Sequence, residues 1–152
     1  MNINYKHVKV IPAEKANEDH KKEVWKIFNE NITFNLATTE PVSYEQHCAW
    51  WETAFDNEYI YIIKYESIIS GYIRLTKVRT YSKEKNEISI ALKKEFQNTG
   101  IASLAYKIFE TEIRKNGISY IVAMSNIKNE SSQEFFIKND FEKTFVRFVK
   151  KL

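Results

Sequence analysis

Glu87-Ile88-Ser89-Ile90-Ala91-Leu92-Lys93-Lys94-Glu95-Phe96-Gln97-Asn98-Thr99-Gly100-Ile101-Ala102 decides the fold. Its first six residues are rich in β-branched and apolar side chains and read as a strand. A short polar turn follows. Ile101 then starts an apolar stripe, continued by Ala105, Ile108, Phe109 and Ile113 at helical spacing. A strand running through a tight turn into a helix presents unpaired N–H groups and the positive end of a helix dipole, which together attract an anion. Gly100 leaves the backbone bare where a phosphate must approach, Ala102 keeps the next contact small, and Gln97 offers a side-chain donor. The turn is neither a Walker loop nor a dinucleotide fingerprint. An ordinary strand-to-helix turn has the same outline, so the hexapeptide alone leaves both readings open.

Outward from this stretch, residues 6–11 read as a strand closed by Pro12, and residues 18–29 as a helix with Val24, Ile27 and Phe28 on one side. Residues 31–41 are polar and irregular. Ser43 with Gln46 three positions on forms a capping-box pattern that opens a helix carrying His47, Trp50, Trp51 and Ala54. Residues 59–65 and 68–78 read as a hairpin turning at Glu66-Ser67, followed by a polar lead-in over residues 81–86. After the central helix, Asn116-Gly117 is a stop signal. Residues 119–124 read as a buried strand, 129–139 as a helix and 141–151 as a last strand, where Phe145, Arg147 and Val149 alternate with Val146, Phe148 and Lys150. The order predicts an α/β layered fold with a mixed central sheet, whose step from Glu87 to Tyr120 is a parallel crossover.

The 152 residues favour one domain over positions 1–152. A chain of this size buries about 70 % of its unfolded surface. Hydrophobic residues at 43 % and charges of both signs along the chain exclude disorder. The net charge of +3 is spread without an acid-free face, which argues against nucleic acid as a partner. No apolar run approaches the length of a membrane span or a signal peptide. Cys48 is the single cysteine, which rules out an internal disulfide or a cysteine-based metal site and fits a cytoplasmic location; no metal is expected.

The spacing Gln97-x-x-Gly100-x-Ala102 resembles the pyrophosphate loop of the GNAT acetyltransferase superfamily. So do three further segments in order: Ile68-Ile69-Ser70-Gly71-Tyr72-Ile73, similar to that family's third strand; residues 87–92, similar to its fourth; and Asn129-x-x-Ser132 with Lys138-x-Asp140-Phe141, similar to its last helix. The likeness spans residues 59–141. It implies the GNAT fold, with six to seven strands flanked by about four helices. It also implies acetyl-CoA as acyl donor and direct attack of an amine on the thioester. By that likeness the backbone of Ile90, Ala91 and Leu92 pairs with the pantetheine arm, and Gln97, Asn98, Thr99, Gly100, Ile101 and Ala102 hold the pyrophosphate. Asn129 contacts the cofactor near its sulfur end.

An attacking amine must be neutral, so a base is needed near pH 7. Glu87 stands where such members often carry an acid; the competing reading is a solvated glutamate at a strand start. The sequence departs from the pattern at Phe136, where the family's proton-donating tyrosine would fall, and at Asp140, where it has glycine. Tyr72, Tyr106 or Ser125 could replace the missing acid. Members commonly add a seventh strand, whereas 11 residues follow Phe141 here; the last strand then leaves an open edge or pairs with another subunit, giving a homodimer.

The helix from Ser43 to Trp51 resembles one in acetyltransferases of nucleotide-linked amino sugars of the pseudaminic-acid type. It implies a nucleotide-sugar acceptor, with His47, Trp51 and Arg74 as candidate contacts, although a histidine on an amphipathic helix is more often structural. Lys93-Lys94 beside the turn either meet phosphate or form an exposed pair. Protein amines, peptides and polyamines remain competing acceptors. A non-catalytic acyl-CoA-binding module competes from outside the enzymes, kept in play by Phe136.

Overall fold

The structure is a computed structural model that describes residues 1–35, 38–80 and 83–152. Leu36 and Ala37 of the irregular loop, and Tyr81 and Ser82 of the polar lead-in, lie outside the described residues, as does the side chain of Arg79. The elements are β1 (Val8–Pro12), α1 (Glu18–Glu30), α2 (Tyr44–Ala54), β2 (Glu58–Tyr65), β3 (Ile68–Thr80), β4 (Lys83–Leu92), α3 (Ile101–Lys115), β5 (Ile121–Ala123) and α4 (Glu130–Lys138). The five strands lie side by side in chain order. All neighbours are antiparallel except β4 and β5, which are parallel and joined through α3. The mixed sheet and four helices match the reading of the sequence.

The strand count does not. The described residues form five strands, not six or seven. Residues 142–152 alternate like a strand, but their backbone makes no hydrogen bond among the described residues. Alternation makes a strand possible; only a partner edge completes it. Pro12 sits inside β1 rather than after it, opposite Tyr61. This is tolerated because β1 is an edge strand, where a missing N–H need cost no ladder bond. β4 begins at Lys83, four residues before the apolar pattern starts, because the backbone ladder with β3 continues to Thr80↔Lys83.

The sheet separates two cores. On one face Tyr61, Ile63, Ile73, Leu75, Ile88 and Leu92 pack with Ile101, Ala105, Phe109 and Ile113 of α3. On the other, Ile60, Ile62 and Tyr72 pack with Val24 and Ile27 of α1 and Trp51 and Ala54 of α2. The period-2 alternation of β2 and β3 supplies one row to each side. The capping box is formed: the Gln46 N–H donates to Ser43 Oγ at 3.2 Å, and the Ser43 N–H to Gln46 Oε1 at 3.0 Å.

Phe109 is fully enclosed and meets Tyr61 edge-on at 5.2 Å. Core truncation should outweigh cap loss: Phe109→Ala is expected to lower unfolding free energy by about 3–5 kcal/mol, and Ser43→Ala by about 1 kcal/mol. Urea denaturation of the two variants measures the ratio; equal losses would mean that α3 does not anchor the core.

Candidate active site

β4 is held by β3 along its whole length but by β5 only at Asn86↔Ile121, Glu87↔Val122 and Ile88↔Ala123. Beyond Ile88 the two parallel strands part. Ser89 to Leu92 therefore run without a strand partner on one side, where the Leu92 carbonyl is taken by the side chains of Gln97 and Asn31, and an open strand edge offers its remaining N–H and C=O groups to an extended ligand. Ile90, Ala91 and Leu92 all lie in this stretch.

The turn beyond it leaves a run of backbone N–H groups without acceptors among the described residues, an arrangement that can meet an anion. Asn98 and Gly100 both take left-handed conformations, with φ of 57° and 85°. Alternating backbone handedness of this kind turns successive N–H groups toward one concavity. Among the described residues, the N–H groups of Asn98, Thr99, Gly100, Ile101 and Ala102 have no acceptor; the first helical bond is from Leu104 N–H to the Gly100 carbonyl. A side chain at Gly100 would be strained at that φ, and its Cβ would stand 3.1 Å from the Tyr5 hydroxyl, which donates to the Thr99 carbonyl. Gln97 behaves differently from its reading in the sequence. Its Nε2 is already spent, donating to the Leu92 carbonyl at 3.1 Å and to Asn31 Oδ1 at 3.0 Å. Its side chain ties the turn to the end of β4, which leaves the backbone to meet the ligand.

On the α1/α2 face of the sheet, Glu58, Thr76 and Glu87 stand in one cross-strand row, and Ile60, Arg74 and Ser89 in the next. Arg74 Nε is 2.8 Å from Glu58 Oε2, and neither atom has another partner. The guanidinium also stacks on the Trp50 ring at 4.9 Å. Burial raises the Glu87 carboxyl above its ordinary range, opposed by the positive charge of Arg74. Among the described residues Glu87 is thus a half-buried carboxyl with no direct ion pair, about 17 Å of strand before Leu92 at roughly 3.3 Å per residue.

Residues 14–142 match the family of acetyltransferase (GNAT) domains. The chain belongs to the GNAT acetyltransferase family. Its fold resembles an N-acetyltransferase from Staphylococcus aureus Mu50, with 24 % identity and a TM-score of 0.75 over 89 % of this chain and 83 % of that one. A putative acetyltransferase, yncA, from Salmonella typhimurium with its cofactor acetyl-CoA shares 18 % identity at a TM-score of 0.71, over 87 % and 78 % of the two chains. An aminoglycoside acetyltransferase from an uncultured soil metagenomic sample, in complex with sisomicin, shares 14 % identity at a TM-score of 0.71 over 97 % of each. No curated protein sequence is similar enough to count as a match.

In this GNAT domain the other candidates fall into two groups. Arg74 reaches the sheet face beside Glu87. His47 and Trp51 do not: Trp51 is fully enclosed with its Nε1 donating to the Lys15 carbonyl, and buried His47 donates from Nε2 to the Lys21 carbonyl. Burial also lowers the basicity of His47. Both hold α2 against α1. Asn129 is the N-cap of α4, its side chain accepting from Ser132 N–H at 3.1 Å. Phe136 packs against Phe135 and Phe141. Of the substitutes for the missing acid, Tyr72 and Tyr106 are both buried and pushed up to about 12, and Ser125 donates to the Asn126 carbonyl. Lys93 is paired with Glu23 of α1 at 2.6 Å, whereas Lys94 is exposed. Asp140 keeps the turn that glycine usually makes, at φ 65°. Tyr5, Asn31 and Glu58 were not legible as site residues, because each reaches the site from a distant element; of Trp50 and Trp51, the pair on the α2 helix, it is Trp50 that stacks on Arg74.

Gly100→Val should lose at least tenfold in CoA affinity by calorimetry, and the strained backbone should cost about 1–3 kcal/mol of stability. A folded variant that binds CoA unchanged would remove the turn from the site.

Proposed function

We propose that this GNAT domain transfers an acetyl group from acetyl-CoA to an amine by direct attack, with Glu87 accepting the amine proton. The observation that carries it is the continuous run from Glu87, through the unpaired edge of β4, to the N–H groups at residues 98–102. Those N–H groups, which have no acceptor among the described residues, fit a pyrophosphate, and Gly100 permits the left-handed turn that leaves them exposed. The edge of Ile90, Ala91 and Leu92 that faces away from β3, its Leu92 carbonyl aside, fits the amides of the pantetheine arm, and an N–H there would steady charge on a thioester oxygen. Asn129, at the start of α4, is proposed to meet the sulfur end. The donor supplies the activated acyl carbon; the chain supplies orientation, charge and a base.

Burial gives Glu87 a basicity nearer neutrality than an ordinary glutamate has, which is what removing an ammonium proton near pH 7 requires. With Phe136 at the usual acid position, the thiolate leaves unaided, which a thiol pKa of about 8.5 permits. Arg74 belongs to the acceptor side. Its charge is matched by Glu58, so that of the described side chains Glu58, Arg74 and Glu87 the Glu87 carboxylate is the one left without an ion pair. This charge favours a cationic amine such as a polyamine, an aminoglycoside or a peptide terminus. A nucleotide-linked amino sugar is the competing acceptor, supported by the aromatic stack of Trp50 and Arg74. The neighbour bound to sisomicin is itself an aminoglycoside enzyme. The reaction is placed in the cytoplasm, where acetyl-CoA is available.

Thiol release from acetyl-CoA across polyamines, aminoglycosides, peptides and UDP-linked amino sugars should single out one class. Silence throughout, with CoA still bound, would instead indicate a binding module. Glu87→Gln is expected to lower kcat/KM by about 10²–10⁴. Arg74→Met removes the charge that opposes the raised Glu87 pKa, so the acid limb of kcat/KM should move to higher pH; an unmoved limb would exclude Glu87 as the base.

A further inference from the structure

The bare side of Gly100 faces Tyr5. The three atoms nearest to a Cβ placed there all belong to that residue, the hydroxyl at 3.1 Å and two ring carbons at 3.5 and 3.7 Å. The Tyr5 hydroxyl donates to the Thr99 carbonyl at 3.0 Å. In a trans peptide the carbonyl and the following N–H point in opposite directions. A Thr99 carbonyl turned toward Tyr5 therefore turns the Gly100 N–H away from it. That N–H stands in the middle of the run at residues 98–102 that has no acceptor among the described residues. Among the described residues the peptide joining Thr99 to Gly100 makes no other hydrogen bond.

Tyr5 is itself held from outside the turn. A 3-10 turn over Tyr5–His7 is capped by Asn4, whose Oδ1 accepts from the Lys6 N–H at 3.2 Å. The Asn4 N–H donates to the Tyr65 hydroxyl at 3.2 Å, and the Glu66 N–H donates to the His7 carbonyl at 3.0 Å. Ile3 packs against the α3 core. The segment before β1 is thus docked on the end of the β2–β3 hairpin. Tyr65 also meets Phe96 at 6.0 Å, and the Phe96 carbonyl accepts from Thr99 Oγ1 at 2.6 Å. Both flanks of the Thr99–Gly100 peptide are therefore tied to the same hairpin end. The Tyr5 ring is 53 % exposed, so a substitution there leaves the core closed.

We propose that Tyr5 is a positioning residue for the phosphate end of the acyl donor: its hydroxyl fixes the Thr99–Gly100 peptide so that the Gly100 N–H is presented to the anion. This rests on the reading of residues 98–102 as the pyrophosphate site. Tyr5 acts through the backbone and touches no reacting atom. Glycine places almost no restraint of its own on this peptide, so the restraint has to come from a neighbour. Without the hydroxyl, part of the ligand's binding free energy is spent on ordering the turn. Linkage makes the effect reciprocal: an anion that favours the presented peptide also favours docking of residues 3–7. A ligand that lacks the pyrophosphate does not sense Tyr5.

Calorimetry on the full chain should show that Tyr5→Phe, which keeps the ring and removes the hydroxyl, weakens CoA binding about threefold to tenfold. Tyr5→Ala should weaken it at least as much, with circular dichroism unchanged in both. Pantetheine, which has no pyrophosphate, should bind wild type and both variants equally by NMR titration. In turnover the loss should fall on KM for acetyl-CoA, with kcat kept. CoA should slow hydrogen exchange at the Lys6 and His7 amides of the wild type and leave them unchanged in Tyr5→Ala. A wild-type chain that does not bind CoA would remove the anion site and this role with it. Undiminished CoA affinity in folded Tyr5→Phe and Tyr5→Ala, or an equal loss with pantetheine, would overturn the role of Tyr5 alone and leave the site standing.

Discussion

The parting of β4 from β5 after Ile88 is the constraint on which the rest of the molecule depends. A parallel pair has to be joined through a crossover, and here α3 is that crossover. Its apolar stripe seats on one face of the sheet through Phe109 and Ile113, so the position of β5 is set by how α3 packs. With only three residues of β5 paired to β4, the side of β4 away from β3 has no strand partner beyond Ile88, and the same chain leads through a short turn into the N-terminus of α3. An open strand edge and a set of free helix-start N–H groups are thereby made contiguous by connectivity alone.

The turn needs support to remain in that shape. The Leu92 carbonyl, the last of β4, accepts from Gln97 Nε2 at 3.1 Å and from Asn31 Nδ2 at 3.0 Å. These two amides link the end of α1, the end of β4 and the anion turn. Tyr5 adds a third tie through the Thr99 carbonyl. Three segments therefore hold a loop whose own residues, Asn98 and Gly100, sit in left-handed backbone. Hydrogen bonds of this kind, half-buried at the Leu92 carbonyl and exposed at Tyr5 and between Gln97 and Asn31, each contribute about 1 kcal/mol or less. Their larger effect is to fix where the unpaired N–H groups point.

The acceptor face follows a different logic. Arg74 is surrounded by groups that use up its charge and its ring plane, Glu58 and Trp50. It is therefore a fixed positive charge more than a free anion receptor. Glu87, one row along on the next strand, has no ion pair among the described residues. Desolvation raises its pKa and the nearby guanidinium limits the rise, so the local field sets its basicity.

The anion turn, the helix starts at Ser43 and Asn129, the hairpin at Glu66 and the α/β order were legible in the sequence, because each depends on near neighbours: a periodicity, a cap or a residue that tolerates positive φ. The family likeness was legible for the same reason, since its motifs are local runs. What local signals could not determine was which side chains face outward. His47 and Trp51 read as acceptor contacts, yet α1 packs over them; Gln97 read as a phosphate donor, yet Asn31, 66 residues away, claims it. Alternation over residues 141–151 implied a strand, but a strand exists only when another backbone pairs with it. Hydrogen-bond partners and burial are long-range properties, and the tertiary structure alone decided them.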